Sequence, residues 1–119
     1  MRLFDSELKI LEVLWEEGPQ TASHIAARLK ETVGWSRNTT YTVIQKCIKK
    51  GAVRREEPKF LCIPMITRES VQSSETEELI DRMYAGSRQK FFAALLADER
   101  LGDKELQELQ EMIEKRRSK

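Results

Sequence analysis

Asn38, Tyr41, Thr42, Gln45, Lys46 and Lys49 recur at helical spacing along one stretch, and that side of the stretch carries no acid. Amide, hydroxyl and ammonium groups are the groups that meet base edges and phosphates. Asn38 and Gln45 suit adenine, Lys46 suits guanine, and Thr39, Thr42 and the ring of Tyr41 can pack on a thymine methyl. Asn38, Thr39, Tyr41, Thr42, Gln45 and Lys46 are therefore the candidates for reading bases. Thr21, Ser36, Arg37, Lys49, Lys50, Arg54, Arg55 and Lys59 are the candidates for the sugar-phosphate backbone. A solvated helix face usually mixes Glu with Lys. Taken alone, the stretch also fits a plainer reading, a helix that merely has a basic surface.

To present these groups together the stretch must be a helix. Ser36 suits the cap, because its hydroxyl can accept an unpaired N–H of the first turn. Gly51 suits the stop, because glycine takes the left-handed conformation that ends many helices. Thr40, Val43, Ile44, Cys47 and Ile48 form the opposite, apolar face. Upstream, residues 5–17 read as a first helix with Leu8, Ile10, Leu11, Val13, Leu14 and Trp15 toward a core. Asp5 or Ser6 can cap it, Glu7 in its first turn suits the helix dipole, and Gly18-Pro19 ends it. Thr21 caps a second helix that runs to about Glu31 and buries Ala22, Ile25, Ala26 and Leu29. His24 falls off that stripe and reads as a surface residue. Trp35 reads as a plug at the next corner rather than a platform for a ligand.

After Gly51 the chain reads as two short strands around a turn at Glu56 to Lys59, with Val53, Phe60 and Cys62 covering the helices. Three helices and a hairpin make a winged helix-turn-helix. The hairpin can be a lid on the core, a phosphate contact, or both. From Thr67 the character changes. A long polar helix to about Tyr84, a second from Arg88 to Asp98 and a third from Lys104 to Arg117 each have a one-sided apolar face. Helices this short need something to bury against. A second copy of the same arm is the economical partner, through Leu79, Ile80, Met83, Tyr84, Phe91, Phe92, Leu95, Leu96, Leu106, Leu109, Met112 and Ile113. The alternative is an arm folded back on its own N-terminal part. The expected class is mostly α, within α+β: a winged helix-turn-helix over residues 1–66 and a helical dimerisation arm over 67–119.

The 119 residues are 39% apolar, enough for one small domain with an arm and too few for an ordinary α/β enzyme with a cleft. The net charge of +1 says little, but its distribution is uneven. Residues 35–59 carry seven basic and two acidic groups, whereas the segments on either side are net negative. A positive field focused on the candidate helix attracts a polyanion. The sequence has no glycine-rich phosphate loop, no nucleophile near a histidine and no paired carboxylates in a plausible cleft, so catalysis is not expected, and no cofactor is expected. The lone histidine cannot make a zinc site. Cys47 and Cys62 each sit in an apolar pattern and read as buried thiols, although a disulfide is open on spacing alone. With no apolar run long enough for a membrane and no signal segment, the expectation is a cytoplasmic protein without direct membrane association. The rival to DNA binding is a winged domain that binds only protein. Such a domain has no need of an acid-free basic face.

Several motifs in series resemble the penicillinase repressor family of winged-helix transcriptional repressors, which includes the methicillin-resistance regulators and the copper-responsive repressors. They are Glu7 with Val13-Leu14-Trp15, Pro19-Gln20-Thr21-Ala22, Trp35-Ser36 with Thr39 and Thr42, and Lys49-Lys50-Gly51. Later come Pro64 before Thr67-Arg68-Glu69, then Tyr84-Ala85-Gly86-Ser87, then Glu99 and Leu101. The resemblance covers almost the whole chain. It implies a homodimeric cytoplasmic repressor on a palindromic operator, controlling β-lactam resistance or related genes and its own expression. In the β-lactam branch it also implies a membrane-bound sensor-protease as partner, with repression relieved when the second C-terminal helix is cut between an Asn and a Phe. The corresponding bond here is Ala94–Leu95, and neither residue type is kept. Members of the copper-responsive branch carry a cysteine-rich tail, whereas this chain ends Glu114-Lys115-Arg116-Arg117-Ser118-Lys119. Where family members cap the first helix with Ser or Thr, this chain has Phe4, which moves the expected cap to Asp5.

Overall fold

The computed structural model describes residues 2–119; Met1, which opens the expected DNA-binding unit, lies outside them. The described elements run α1 (Asp5–Glu17), β1 (Gln20–Thr21), α2 (Ala22–Val33), α3 (Arg37–Lys49), β2 (Val53–Glu56), β3 (Leu61–Pro64), α4 (Arg68–Met83), α5 (Arg88–Leu96) and α6 (Asp103–Arg117). By packing, the chain divides into one unit up to Glu75 and a second from Thr76 to Lys119. The division falls inside α4 rather than at residue 67, because Ile66 and Val71 pack against the first core.

That core follows from the spacing of the apolar residues. Ile10, Leu11 and Leu14 from α1, Ile25 and Leu29 from α2, and Val43, Ile44 and Cys47 from α3 are buried together with Val53 and Cys62 of the sheet. Each such aliphatic side chain contributes about 1.5–3 kcal/mol on burial. Trp15 is half-buried at the margin, and its indole N–H donates to the Ile66 carbonyl at 2.9 Å. Trp35 also packs against the core from its edge. Cys47 and Cys62 are both buried, free thiols.

Four helix starts follow the hydroxyl rule. The Thr21 Oγ1 accepts from the His24 N–H at 3.1 Å, and Ser36 Oγ accepts from the Thr39 N–H at 3.1 Å. Thr67 Oγ1 accepts from the Ser70 N–H and Ser87 Oγ from the Lys90 N–H, each also at 3.1 Å. The first helix departs from expectation. Its cap position is Phe4, not Asp5 or Ser6, and no side chain caps it there. Instead Glu7 reaches back, its Oε1 accepting from the Phe4 N–H at 2.8 Å. A carboxylate three residues in supplies half of a capping box, so an apolar residue can stand at the cap. The second helix runs past Glu31 to Val33, until Gly34 leaves it at φ 73 in the left-handed region.

The wing holds one strand more than the sequence suggested. The sheet order is β1-β3-β2, with both neighbours antiparallel to β3. Gln20 pairs with Cys62 and Thr21 with Leu61. β2 and β3 pair from Val53 opposite Pro64 to Glu56 opposite Leu61. The turn therefore occupies Glu57 to Phe60, one residue later than expected.

In the second unit, Tyr84 and Phe91 meet with ring centroids 5.5 Å apart, and Phe91 meets Phe92 at 5.8 Å. Ile80 is 4% exposed. It was expected on the dimer surface, but it is spent inside the chain, and Tyr84 and Phe91 are half-buried. Leu79, Met83, Phe92, Leu95, Leu96, Leu106, Met112 and Ile113 remain exposed. α5 ends at Leu96, short of the expected Asp98, and buries no residue. No helix among the described residues is long and apolar enough to cross a membrane.

Candidate nucleic-acid interface

α3 buries Thr40, Val43, Ile44 and Cys47 and turns Asn38, Thr39, Thr42, Gln45, Lys46 and Lys49 outward. The periodicity that fills the core thus sets the polar face in solvent. Its first turn contains no acid and its last turn contains Lys46 and Lys49. Among the described residues, none of Asn38, Thr42, Gln45, Lys46 and Lys49 has a side-chain hydrogen bond or ion pair. Thr39 is engaged locally, its Oγ1 accepting from Ser36 Oγ at 3.0 Å.

Tyr41 is different. It is half-buried and meets Phe60 of the wing edge-on, at 5.7 Å and 89° between ring planes. Its hydroxyl accepts from Arg37 Nη2 at 2.8 Å, and the Arg37 guanidinium lies 4.8 Å from its ring centroid. Arg37 Nη1 also points to Ser23 Oγ of α2 at 3.5 Å. The Arg55 guanidinium in turn lies over the Phe60 ring, 3.7 Å from its centroid. Arg37, Tyr41, Phe60 and Arg55 form one continuous ladder from the start of α3 to the wing. Cation–aromatic contacts of this kind hold a guanidinium in a defined plane.

Three of the expected backbone-contacting cations are already in ion pairs. Lys50 Nζ lies 2.6 Å from Glu7 Oε1, 2.9 Å from the Arg2 carbonyl and 4.3 Å from the Phe4 ring centroid. Its partner Glu7 is 1% exposed. Burial opposes the ionisation of Glu7, but the hydrogen bonds from Lys50 and the Phe4 N–H and the charges of Lys50 and Lys46 outweigh it. They hold the carboxyl below its ordinary value. Arg54 pairs with Glu56 at 2.8 Å, and Arg55 pairs with Glu57. Lys59 has no such partner among the described residues, so the wing tip carries one uncompensated cation. Thr21 and Ser36 both use their hydroxyls to cap helices.

From the sequence Glu7 reads as a dipole partner, and its pair with Lys50 has no sequence signal, because only the tertiary fold brings the two together. Phe60 reads as a cover, and its link to Tyr41 carries no local signal. The wing pairs do carry one, since Arg-Arg-Glu-Glu puts each acid two residues beyond an arginine. His24 is not a plain surface residue. It lies 2.7 Å from Glu17, which also takes Arg28 at 3.1 Å. The His24 hydrogen bond, more than the nearby Arg28, holds the Glu17 carboxyl below its usual range.

The sequence pattern of the penicillinase repressor family matches residues 3–115. The penicillinase repressor of Bacillus licheniformis is 24% identical over 120 residues, 99% of this chain and 94% of that protein. The methicillin resistance regulatory protein MecI of Staphylococcus aureus (strain N315) is 20% identical over 113 residues, 93% of this chain and 92% of that protein. A solved structure, the Bacillus licheniformis BlaI monomeric form in complex with the blaP half-operator, aligns with a TM-score of 0.50 at 28% identity. It covers 58% of this chain and 87% of that one. With a pattern that begins before α1 and ends within α6, laid over three helices and a wing, the chain belongs to the penicillinase repressor family.

Proposed function

We propose that this protein is a DNA-binding transcriptional repressor that holds a two-fold symmetric operator as a homodimer. The observation that carries this reading is the exposed, acid-free polar face of α3. It stands on a winged unit similar to one solved with a half-operator. Asn38, Thr42, Gln45 and Lys46 are assigned to base edges, with Thr39 and Tyr41 beside them. Arg37, Lys49 and Lys59 are assigned to phosphates on either side of the groove. Tyr41 and Lys50 are already held by the protein, so they steady the helix more than they reach for bases or phosphates.

The dimer is assigned to the exposed apolar residues of the arm. Two helices from a dimer would meet half-sites one or two turns apart, about 34–36 Å per turn. For relief of repression, we assign the arm as the point of control, acted on by a membrane-bound sensor-protease. Ala94–Leu95 lies in α5, a 9-residue helix with no buried residue. Local opening of such a segment is inexpensive. Cutting there would separate two weak readers and remove most of their joint affinity.

The test is a footprint of the purified protein on the promoter upstream of its own gene, at two salt concentrations. A symmetric protected site that weakens steeply as salt rises is the expected result. Absence of protection there and in a genomic selection would assign the winged unit to a protein partner instead.

A further inference from the structure

Each wing arginine has an acid two residues beyond it, Arg54 with Glu56 and Arg55 with Glu57. Residues two apart on a strand share a face, so Arg54 and Glu56 of β2 lie on one side of the wing and Arg55 on the other, where Glu57, the first residue of the turn, meets it. Both pairs form, Arg54 Nη2 with Glu56 Oε1 at 2.8 Å, and Arg55 Nε with Glu57 Oε1. The two are not equivalent. Arg55 stands opposite Cys62 in the ladder, and Cys62 is fully buried. Arg55 is therefore on the face turned toward the helices. There its guanidinium lies on Phe60, and Phe60 abuts Tyr41 of α3. The aromatic floor aligns the guanidinium beside the recognition helix, where a duplex backbone would flank the groove. Glu57 occupies that guanidinium, and both partners are exposed enough to exchange, with 41% and 59% of their side-chain surface open.

We propose that Glu57 is an internal competitor for the DNA backbone: its carboxylate holds Arg55 in the free protein and is displaced by a phosphate oxygen when the wing engages a duplex. The proposal rests on the DNA-binding reading above. Only hydrogen bonds are exchanged, carboxylate for phosphate on one guanidinium, so the effect applies to any duplex and lowers affinity without reading sequence. An exposed pair of this kind corresponds to a change of about two- to five-fold in binding.

The experiment is a double-mutant cycle on the full-length protein with Glu57→Gln, Arg55→Ala and the double variant. Binding to the operator and to an unrelated duplex is measured at one fixed salt concentration. Thermal melts check that each variant folds. Glu57→Gln is expected to tighten binding by about two- to five-fold on both duplexes, and to have no effect in the Arg55→Ala background. An equal gain in both backgrounds would mean that Glu57 acts only by its charge near DNA, and would overturn the proposal. So would no gain, or a loss, in the single variant. Wild-type protein that binds neither duplex would overturn the DNA-binding reading itself, and the wild-type arm of the cycle reads that outcome separately.

Discussion

The ammonium of Lys50 sits 2.6 Å from the carboxylate of Glu7, tying the end of the recognition helix to the first turn of α1. Glu7 is 1% exposed, and its second oxygen is buried without a partner. Removing one member of such a pair strands the other. Glu7→Gln is expected to cost about 3 kcal/mol near neutral pH, the low end for a buried pair because Lys50 keeps contact with water. Folding lowers the Glu7 carboxyl below its ordinary value of 4.5. The folded protein therefore binds its proton less readily than the unfolded chain. The contribution is complete above about pH 4.5 and is lost as pH falls through the lowered folded value. Urea melts from pH 3 to 7 should show wild type and variant converging at the acid end. A constant gap would refute the assignment.

Base reading separates from phosphate holding by its pattern across sequences. Gln45→Ala and Lys46→Ala should each relax discrimination at one base pair by about 1–3 kcal/mol. Lys59→Ala and Lys49→Ala should weaken all duplexes alike and flatten the salt dependence. Ranked affinities for a set of operator variants decide between the two roles. Unchanged ranking with Gln45→Ala and Lys46→Ala would remove those residues as readers.

Burial raises the Cys47 thiol to about 12, with the nearby Glu7 charge adding to it, and burial raises Cys62 to about 11. Thiolate is the reactive form. The folded protein should consume almost no thiol reagent at pH 8, and both cysteines should react once denatured. Rapid native labelling would show that the core opens far more often than its packing implies.

Phe92 and Leu96 are 52% and 54% exposed on α5. Leu96→Asp should leave the N-terminal unit folded, shift sedimentation toward the monomer, and lower affinity for a two-fold site on the order of a hundredfold, with single half-site binding unchanged. A variant that still sediments as a dimer would place the interface elsewhere.

The recognition helix was legible because Ser36, Gly51 and one apolar face bracket it without reference to the rest of the chain. The wing strands were legible from Val53 and Cys62. β1 was not, since Gln20–Thr21 is two residues long and takes its conformation from β3, not from its own pattern. Glu7 reads from the sequence as a helix-dipole partner and Lys50 as a phosphate contact, and their pairing exists only once α1 and α3 are packed. In the arm, periodicity identified an apolar stripe, but it could not separate Ile80, which is buried within the chain, from Leu79 next to it, which is exposed.

The sheet is built around the strand that is made last. β3 holds both β1 and β2, and it follows them in the chain. While the protein is being synthesised, α1 to α3 can gather through near neighbours before β3 exists, but β1 waits for a partner far downstream. Long-range pairing of this kind closes late. The wing, and the Gln20–Thr21 strand that leads into α2, can therefore be completed only once the chain has been made as far as Pro64.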